Sequence, residues 1–207
     1  MDRRKMLNLK ELCNVDIPES RKGNWYIEKF EVKNDITHAI FSIHNPGRDV
    51  PLGTYTRLMR DHSFNNPMMS DAPAEIYDHA EAIYKIQELG GRILINGLGL
   101  GCILKAALSF TNVERVDVVE LEQDIIDLVA PSYTDPRVHI YQADAYMIQW
   151  GKLDKWSVAW HDIWANICSD NLEGMAKLHH KYGHKVQWQG SWSKSECLYQ
   201  RRRNSLY

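Results

Sequence analysis

Apolar and polar positions along this chain follow two periods, one after the other. Short continuous apolar runs occur at Arg92–Asn96, Val116–Glu120, Val138–Gln142, Trp156–Asp162 and about Lys185–Gln189. Between them, Gly101–Ser109, Asp124–Val129 and about Asn171–Tyr182 place apolar residues at helical spacing. Continuous runs of this length read as strands buried on both faces, so the alternation predicts a parallel sheet with helices on both sides. A longer helix precedes the first run. Ser70 or Asp71 caps it, Pro73 sits in its first turn, Ile76, Ala80, Ile83 and Ile86 form its apolar face, and Gly90-Gly91 stops it. The N-terminal part reads differently. A short helix over Arg3–Leu12 leads to a strand at Trp25–Val32, a turn at Lys33-Asn34-Asp35 and a second strand at Ile36–Ile43. His44-Asn45-Pro46-Gly47 closes this hairpin, and a third extended stretch covers Tyr55–Met59. Asp61–Met69 reads as loop, and Ser193–Arg203 as a last short helix before the end of the chain.

The first apolar run ends in a glycine-rich turn, Ile93-Leu94-Ile95-Asn96-Gly97-Leu98-Gly99-Leu100-Gly101, and the second ends in an acid, Glu120. A strand–glycine turn–helix–strand–acid unit is built to hold a nucleoside. Glycine lets the backbone come close to the ligand, and the carboxylate accepts hydrogen bonds from ribose hydroxyls. The glycines fall at 97, 99 and 101. A dinucleotide fingerprint needs one at 102, where this chain has Cys102, so the spacing opposes a nicotinamide oxidoreductase.

Bulk properties narrow the picture without changing it. At 207 residues the chain builds one good core with a small appended lobe, divided here as 1–65 and 66–207. A formal charge of −2 opposes general nucleic-acid affinity. No apolar run approaches the ~20 residues of a membrane span, and MDRRKMLNLKELC has no signal-peptide core, so a cytoplasmic protein is expected. Cys13, Cys102, Cys168 and Cys197 form no CxxC pair, so free thiols are expected.

From Gly91 to Asp162 the sequence resembles the class I S-adenosylmethionine-dependent methyltransferases, most closely the spermidine-synthase-like branch. ILINGLGLG, VDVVELEQDII, TDPRV with HIYQADAY, and WSVAWHDIW carry the resemblance, in order and at matching spacing. It implies a Rossmann-like doubly wound α/β sheet with a small N-terminal β lobe, S-adenosylmethionine as cofactor, and methyl transfer. It further implies that Gly97 and Gly99 pass under the methionine part of the cofactor and that Gly101 opens the helix. Glu120 would bind both ribose hydroxyls, with Leu121 beside the adenine. Asp144 would accept the adenine amino group, and the Ala145 amide would reach a ring nitrogen. Asp162 would face the reacting centre as the candidate catalytic residue.

The chain also departs from those patterns. Ile95 stands where most methyltransferases carry an acid. Gly99-Leu100-Gly101 replaces the glycine-aspartate pair of the spermidine-synthase branch, and Ile163-Trp164-Ala165-Asn166 replaces its acid-rich segment. The segment after the fifth strand is short, so a truncated five-strand core is expected. Two alternatives to methyl transfer stay open. One is aminopropyl transfer from decarboxylated S-adenosylmethionine, and the other is a non-catalytic protein on the same fold. A carboxylate cluster facing Asp162 favours the first; a pocket filled by tryptophan favours the second. Of the remaining candidates, His161 should point away from Asp162. Trp160, Trp164, Trp188 and Trp192 form a core or an aromatic wall. The stretches Met68-Met69-Ser70-Asp71 and Tyr77-Asp78-His79 precede the glycine turn, where the resemblance implies a segment that covers the cofactor, and Tyr77 and Asp78 border the pocket or a solvated face. His179, His180 and His184 lack a completing ligand, so no metal is expected. Arg201–Arg203 reads as a solvated tail. The acceptor is open, with a small molecule favoured, nucleic acid disfavoured, and a homodimer through the exposed last strand possible.

Overall fold

The computed structural model describes residues 9–34, 50–61 and 67–205, and two sheets carry its fold. The smaller is antiparallel, in the order β1 (Ser20–Lys22), β2 (Trp25–Val32), β3 (Gly53–Arg60) and β4 (Met69–Ser70). The larger has five parallel strands: β5 (Gly91–Asn96), β6 (Val113–Glu120), β7 (Val138–Gln142), β8 (Trp156–His161) and β9 (Val186–Ser191). Their order is β7-β6-β5-β8-β9. The chain starts in the middle at β5, winds outward to β7, then returns beside β5 as β8 and winds the other way. The reversal lies between β5 and β8, and open α/β sheets bind ligands at that place, beyond the strands' carboxyl ends. The helices are α1 (Pro73–Asp78), α2 (Ala80–Leu89), α3 (Cys102–Leu108), α4 (Gln123–Val129), α5 (Asn171–Tyr182) and α6 (Lys194–Asn204). This is the expected Rossmann-like α/β fold with a small β lobe.

Burial explains the strand assignments. All six residues of β8 are buried, as are the last four of β5, because these two strands lie inside the sheet with helices over both faces. On one face Ile93, Ile95 and Val118 pack with Ile83 and Ile86 of α2 and Ile103 of α3. On the other, Leu94, Val119 and Ala159 pack with Leu178 and Tyr182 of α5. One buried charge is held inside the sheet. Asp117 of β6 is fully buried and accepts hydrogen bonds from Arg92 Nε at 2.5 Å, Arg115 Nε at 2.9 Å and Trp156 Nε1 at 2.8 Å. Those donors hold its carboxyl below the usual carboxylate range, against a desolvation that pushes the other way.

The small sheet shares its core with the large one. Leu9, Trp25, Ile27 and Leu58 belong to the same buried cluster as Ile95, Leu98 and Val118. The β1–β2 turn docks on α4. A Cβ at Gly23, which has φ +53°, would meet Asp124 Oδ2 at 2.3 Å, and Lys22 pairs with Asp127 at 3.2 Å.

Two expectations differ from what is seen, and a third cannot be compared because it lies outside the described residues. The helix expected over 70–89 is two helices, broken at His79, whose φ of −94° and ψ of −1° end α1 and open α2. Neither Ser70 nor Asp71 caps it: Ser70 is in β4, and Asp71 Oδ1 accepts the Thr56 N–H at 2.6 Å. Instead Glu75 reaches back, accepting the Ser70 N–H at 2.6 Å and its hydroxyl at 2.9 Å. Finally, β2 pairs with β1 and β3. The expected partner strand Ile36–Ile43 and the closing residues His44–Gly47 lie outside the described residues.

Candidate functional site

The carboxyl ends of β5, β6 and β8 and the turn after β7 surround a cavity of about 370 Å³, within the ~300–1,000 Å³ range of small-molecule sites. Each resemblance-derived residue except Gly101 lines it: Gly97, Gly99, Glu120, Leu121, Asp144, Ala145 and Asp162. Gly101 sits one step behind, where its φ of +75° starts α3 and a Cβ would strike the Tyr133 ring at 2.6 Å. The turn demands glycine. At Gly97 φ is +98°, and a Cβ would lie 1.9 Å from the Asp162 carbonyl oxygen.

Glu120 ends β6 and is 7% exposed. Its Oε2 accepts the Leu98 N–H at 2.8 Å and its Oε1 accepts the Glu122 N–H at 2.9 Å. The carboxylate is thereby clamped between the glycine turn and the start of α4. A carboxylate offers about four acceptor positions, so two remain for a ligand's hydroxyls. Asp144 uses Oδ1 to accept the Tyr146 N–H at 2.7 Å, an Asx turn that holds the Ala145 backbone at the cavity wall.

At the other end stands a pair that the sequence reading only half found. His79 is 2% exposed and its Nε2 lies 3.8 Å from Asp162 Oδ2. Burial lowers the His79 pKa to about 4, which makes the ring neutral at pH 7. Burial, with Glu75, Asp78 and Glu120 adding like charge, raises the Asp162 carboxyl to about 8. Both members are therefore mostly uncharged at neutral pH, and Asp162 carries a proton that it would lose to solvent when a cation binds beside it, or to an incoming base. Glu75 and His79 are four residues apart, so one face of the α1–α2 segment delivers both to the cavity. That i, i+4 pairing was the available sequence signal. Tyr77 and Asp78, the positions singled out as pocket candidates, instead line a second cavity behind it.

The small sheet closes the site, a contribution that the sequence pattern did not reveal. Trp25, Leu58 and Arg60 come from β2 and β3, with the Arg60 guanidinium 5.2 Å above the Trp25 ring. Met69 lies over the glycine turn, where its Sδ accepts the Leu100 N–H at 3.3 Å and sits 2.4 Å from where a Gly99 Cβ would be. The tryptophans divide. Trp164 and Trp192 line the cavity, whereas Trp160 is buried and stacks on Trp188 at 6.4 Å. His161 points away from Asp162, its Nδ1 2.7 Å from Asn96 Nδ2 and its Nε2 3.2 Å from Gln189 Oε1. The Asn96 amide donates to Nδ1, so the Nε2–H donates to Gln189. Among the described residues no group of three or more His, Cys, Asp or Glu is arranged to hold a metal, and no helix is long and apolar enough to cross a membrane.

Among the described residues the lining is acidic: Glu75, Glu120, Glu122, Asp144 and Asp162 stand against Arg60. Such a cavity favours a ligand with positive charge.

No family model matches the chain, and no curated protein matches it. Solved structures with a similar fold include three methyltransferases. One from Streptomyces caelestis is 17% identical with a TM-score of 0.42, over 51% of this chain and 43% of that one. An S-adenosylmethionine-dependent methyltransferase from Mesorhizobium loti is 16% identical with a TM-score of 0.36, over 49% and 48%. A human methyltransferase 10 domain containing protein is 12% identical with a TM-score of 0.44, over 60% and 68%. The chain spans less than half the length of the first two.

Proposed function

We propose that this chain binds S-adenosylmethionine beside the Gly97–Gly101 turn and transfers its methyl group to a small-molecule acceptor. One observation carries the reading. The Glu120 carboxylate, at the end of β6 and next to the sheet's switch point, is fixed by two backbone N–H groups with acceptor capacity to spare. The acidic lining suits a sulfonium cation, and the glycine turn leaves no Cβ between the backbone and a ligand. Glu120 would hold the ribose hydroxyls, and Asp144 with the Ala145 amide the adenine edge. The cofactor supplies an already activated methyl group. The protein aligns the acceptor and excludes water with Trp25, Trp164 and Trp192; Asp162, which would lose its own proton to solvent once the sulfonium is bound, then takes the acceptor's proton at Oδ2 beside the neutral His79 ring. Acidic walls and a net charge of −2 count against nucleic acid as acceptor. The edge strand β9 offers a pairing surface for a homodimer.

Calorimetric titration with S-adenosylmethionine tests the reading. Micromolar binding that Glu120→Ala abolishes supports it; no binding by well-folded protein rejects it.

A second reading has one observation in its favour. Glu75 faces the cavity with Asp162, and paired carboxylates suit the ammonium groups of a polyamine in a spermidine-synthase-like aminopropyl transfer. Tighter binding of decarboxylated S-adenosylmethionine than of the parent compound would select it.

A further inference from the structure

The segment between β7 and β8 carries part of the cavity wall but forms no helix of its own. Ala143, Asp144, Ala145 and Tyr146 line the cavity there. A single turn holds them, with the Met147 and Ile148 N–H groups both bonded to the Asp144 carbonyl at 2.9 Å. No further turn follows to take the carbonyls after it, so these need donors from elsewhere.

Helix α5 provides those donors. Lys181 Nζ donates to the carbonyl of Ala145 at 3.0 Å, of Tyr146 at 2.9 Å and of Ile148 at 2.7 Å. An ammonium group has three N–H donors, and all of them go to this one turn. The Tyr182 hydroxyl adds a bond to the Ala145 carbonyl at 3.1 Å. Lys181 is partly buried and stands behind the cavity wall, not in it. Burial lowers its pKa while the Asp144 carboxylate pulls the other way, so the two charges sense each other across the turn.

The same helix makes room for the turn elsewhere. A Cβ at Gly174 of α5 would lie 2.5 Å from the Tyr146 hydroxyl and 3.3 Å from Trp164 Nε1. Alanine is the better helix former, so close approach of the turn outweighs propensity at this position.

We infer that Lys181 is a positioning residue for base recognition: from behind the wall, its ammonium holds the 144–148 turn so that the Asp144 carboxylate and the Ala145 amide meet the edge of an adenine ring. The inference rests on the reading of the cavity as an S-adenosylmethionine site. Asp144 Oδ1 is occupied by the Tyr146 N–H within the turn, so the shape of the turn decides where Oδ2 points. Without the ammonium three carbonyls lose their donor, and the turn is free to rotate them toward water.

The test is calorimetry of the full chain with three ligands. They are S-adenosylhomocysteine, its 6-deamino analogue, whose base lacks the amino group, and its 2′,3′-dideoxy analogue. Lys181→Met should weaken S-adenosylhomocysteine about tenfold, as expected for misplacing a hydrogen bond to a charged group. The deamino analogue gives Asp144 nothing to accept. It should already bind more weakly to the parent protein and lose less than about threefold in the variant. The dideoxy analogue keeps its base and should lose the full factor. If Lys181→Met does not fold, Lys181→Gln, which keeps an N–H donor, is measured in its place against the same ordering. Equal losses for all three ligands, or no loss for any, overturn the inference, because a lysine that only stabilises the fold does not sense the amino group. That outcome leaves the methyl-transfer reading standing. If the parent protein binds none of the three, the reading itself fails and this inference falls with it.

Discussion

His79 Nε2 lies 3.8 Å from Asp162 Oδ2, the ring delivered by the α1–α2 junction and the carboxyl by the end of β8. With His79 lowered to about 4 and Asp162 raised to about 8, each is pushed toward its uncharged form. A bound cation reverses the push on Asp162, because an adjacent positive charge favours the carboxylate. S-adenosylmethionine binding should therefore release a proton below pH 8, and affinity should rise with pH by up to about tenfold per unit before levelling above 8. S-adenosylhomocysteine lacks the sulfonium charge and should show a flat profile. Calorimetry of both ligands across pH 6–9 checks this, with Asp162→Asn as the variant in which the slope disappears. A flat S-adenosylmethionine profile would remove Asp162 from the reacting centre.

The same pair sets a stability trend. A carboxyl raised in the folded state binds more protons there than in the unfolded chain, so its contribution is full below about 4 and is lost as pH rises toward 8. His79 runs oppositely: its lowered value makes folding less favourable as pH falls from about 6.5 to 4. Asp162→Asn should thus raise the melting temperature at pH 9, by about 2–4 °C for each kcal/mol recovered, and change it little at pH 5. Thermal melts at the two pH values decide it. Equal shifts at both would show that the carboxyl is not held protonated by its surroundings.

Gly97→Ala should be among the most damaging single changes. The added Cβ would sit 1.9 Å from the Asp162 carbonyl oxygen at a φ of +98°, so β5 and β8 would have to part at the switch point. A loss of about 3 kcal/mol or more is expected, together with loss of S-adenosylmethionine binding. Denaturant unfolding measures the first. A variant within about 1 kcal/mol of the parent would mean that the turn relaxes freely.

The large sheet was legible because each strand is a continuous apolar run with its own length, and β7 and α5 fall where the pattern places them. The glycine turn and Glu120 were legible because local spacing puts them at strand ends, whereas Asp144 and Asp162 were singled out only by the family resemblance, and all of them but Gly101 line the cavity. Residues brought in by long-range packing were not. Trp25 and Arg60 reach the cavity only because the small sheet shares a core with the large one, a fact with no local pattern. His79 was obscured for another reason: the periodicity runs on through it, so the helix break that aims its ring at Asp162 leaves no trace in the apolar spacing.

Asp117 offers a check on the fold that is independent of the site. It is fully buried and holds Arg92, Arg115 and Trp156, while Arg92 also pairs with Asp154 at 2.8 Å. Asp117→Ala removes the shared acceptor, leaving the Trp156 indole N–H without its acceptor, Arg92 with Asp154 alone and Arg115 with only the Tyr141 hydroxyl. The expected cost is about 3–5 kcal/mol, near the value for breaking other buried ion pairs. In the parent, this contribution is present above the usual carboxylate range and is lost as pH falls through the lower folded value. The penalty of Asp117→Ala should therefore shrink in strong acid, which melts at pH 7 and pH 3 would reveal. A penalty that does not change with pH would mean that the ionised form is not what the arginines stabilise.

Glu120 has two separable duties, and one comparison divides them. It anchors the glycine turn through Leu98 and α4 through Glu122, and it is proposed to read the ribose hydroxyls. Glu120→Gln keeps the shape, but an amide presents an NH₂ to one of those two N–H donors, so some loss of stability is expected whatever the ligand. Hydrogen bonds to a charged group are worth about 1.5–3 kcal/mol, so S-adenosylhomocysteine affinity should fall about tenfold or more. The 2′,3′-dideoxy analogue lacks the hydroxyls. If Glu120 binds them, the analogue is already weakened in the parent and should lose little further in the variant, a coupling that a double-variant cycle measures directly. If the substitution instead weakens both compounds by the same factor, Glu120 acts only through the turn. The ribose, and with it the placement of the cofactor along β6, would then have to be sought elsewhere in the cavity.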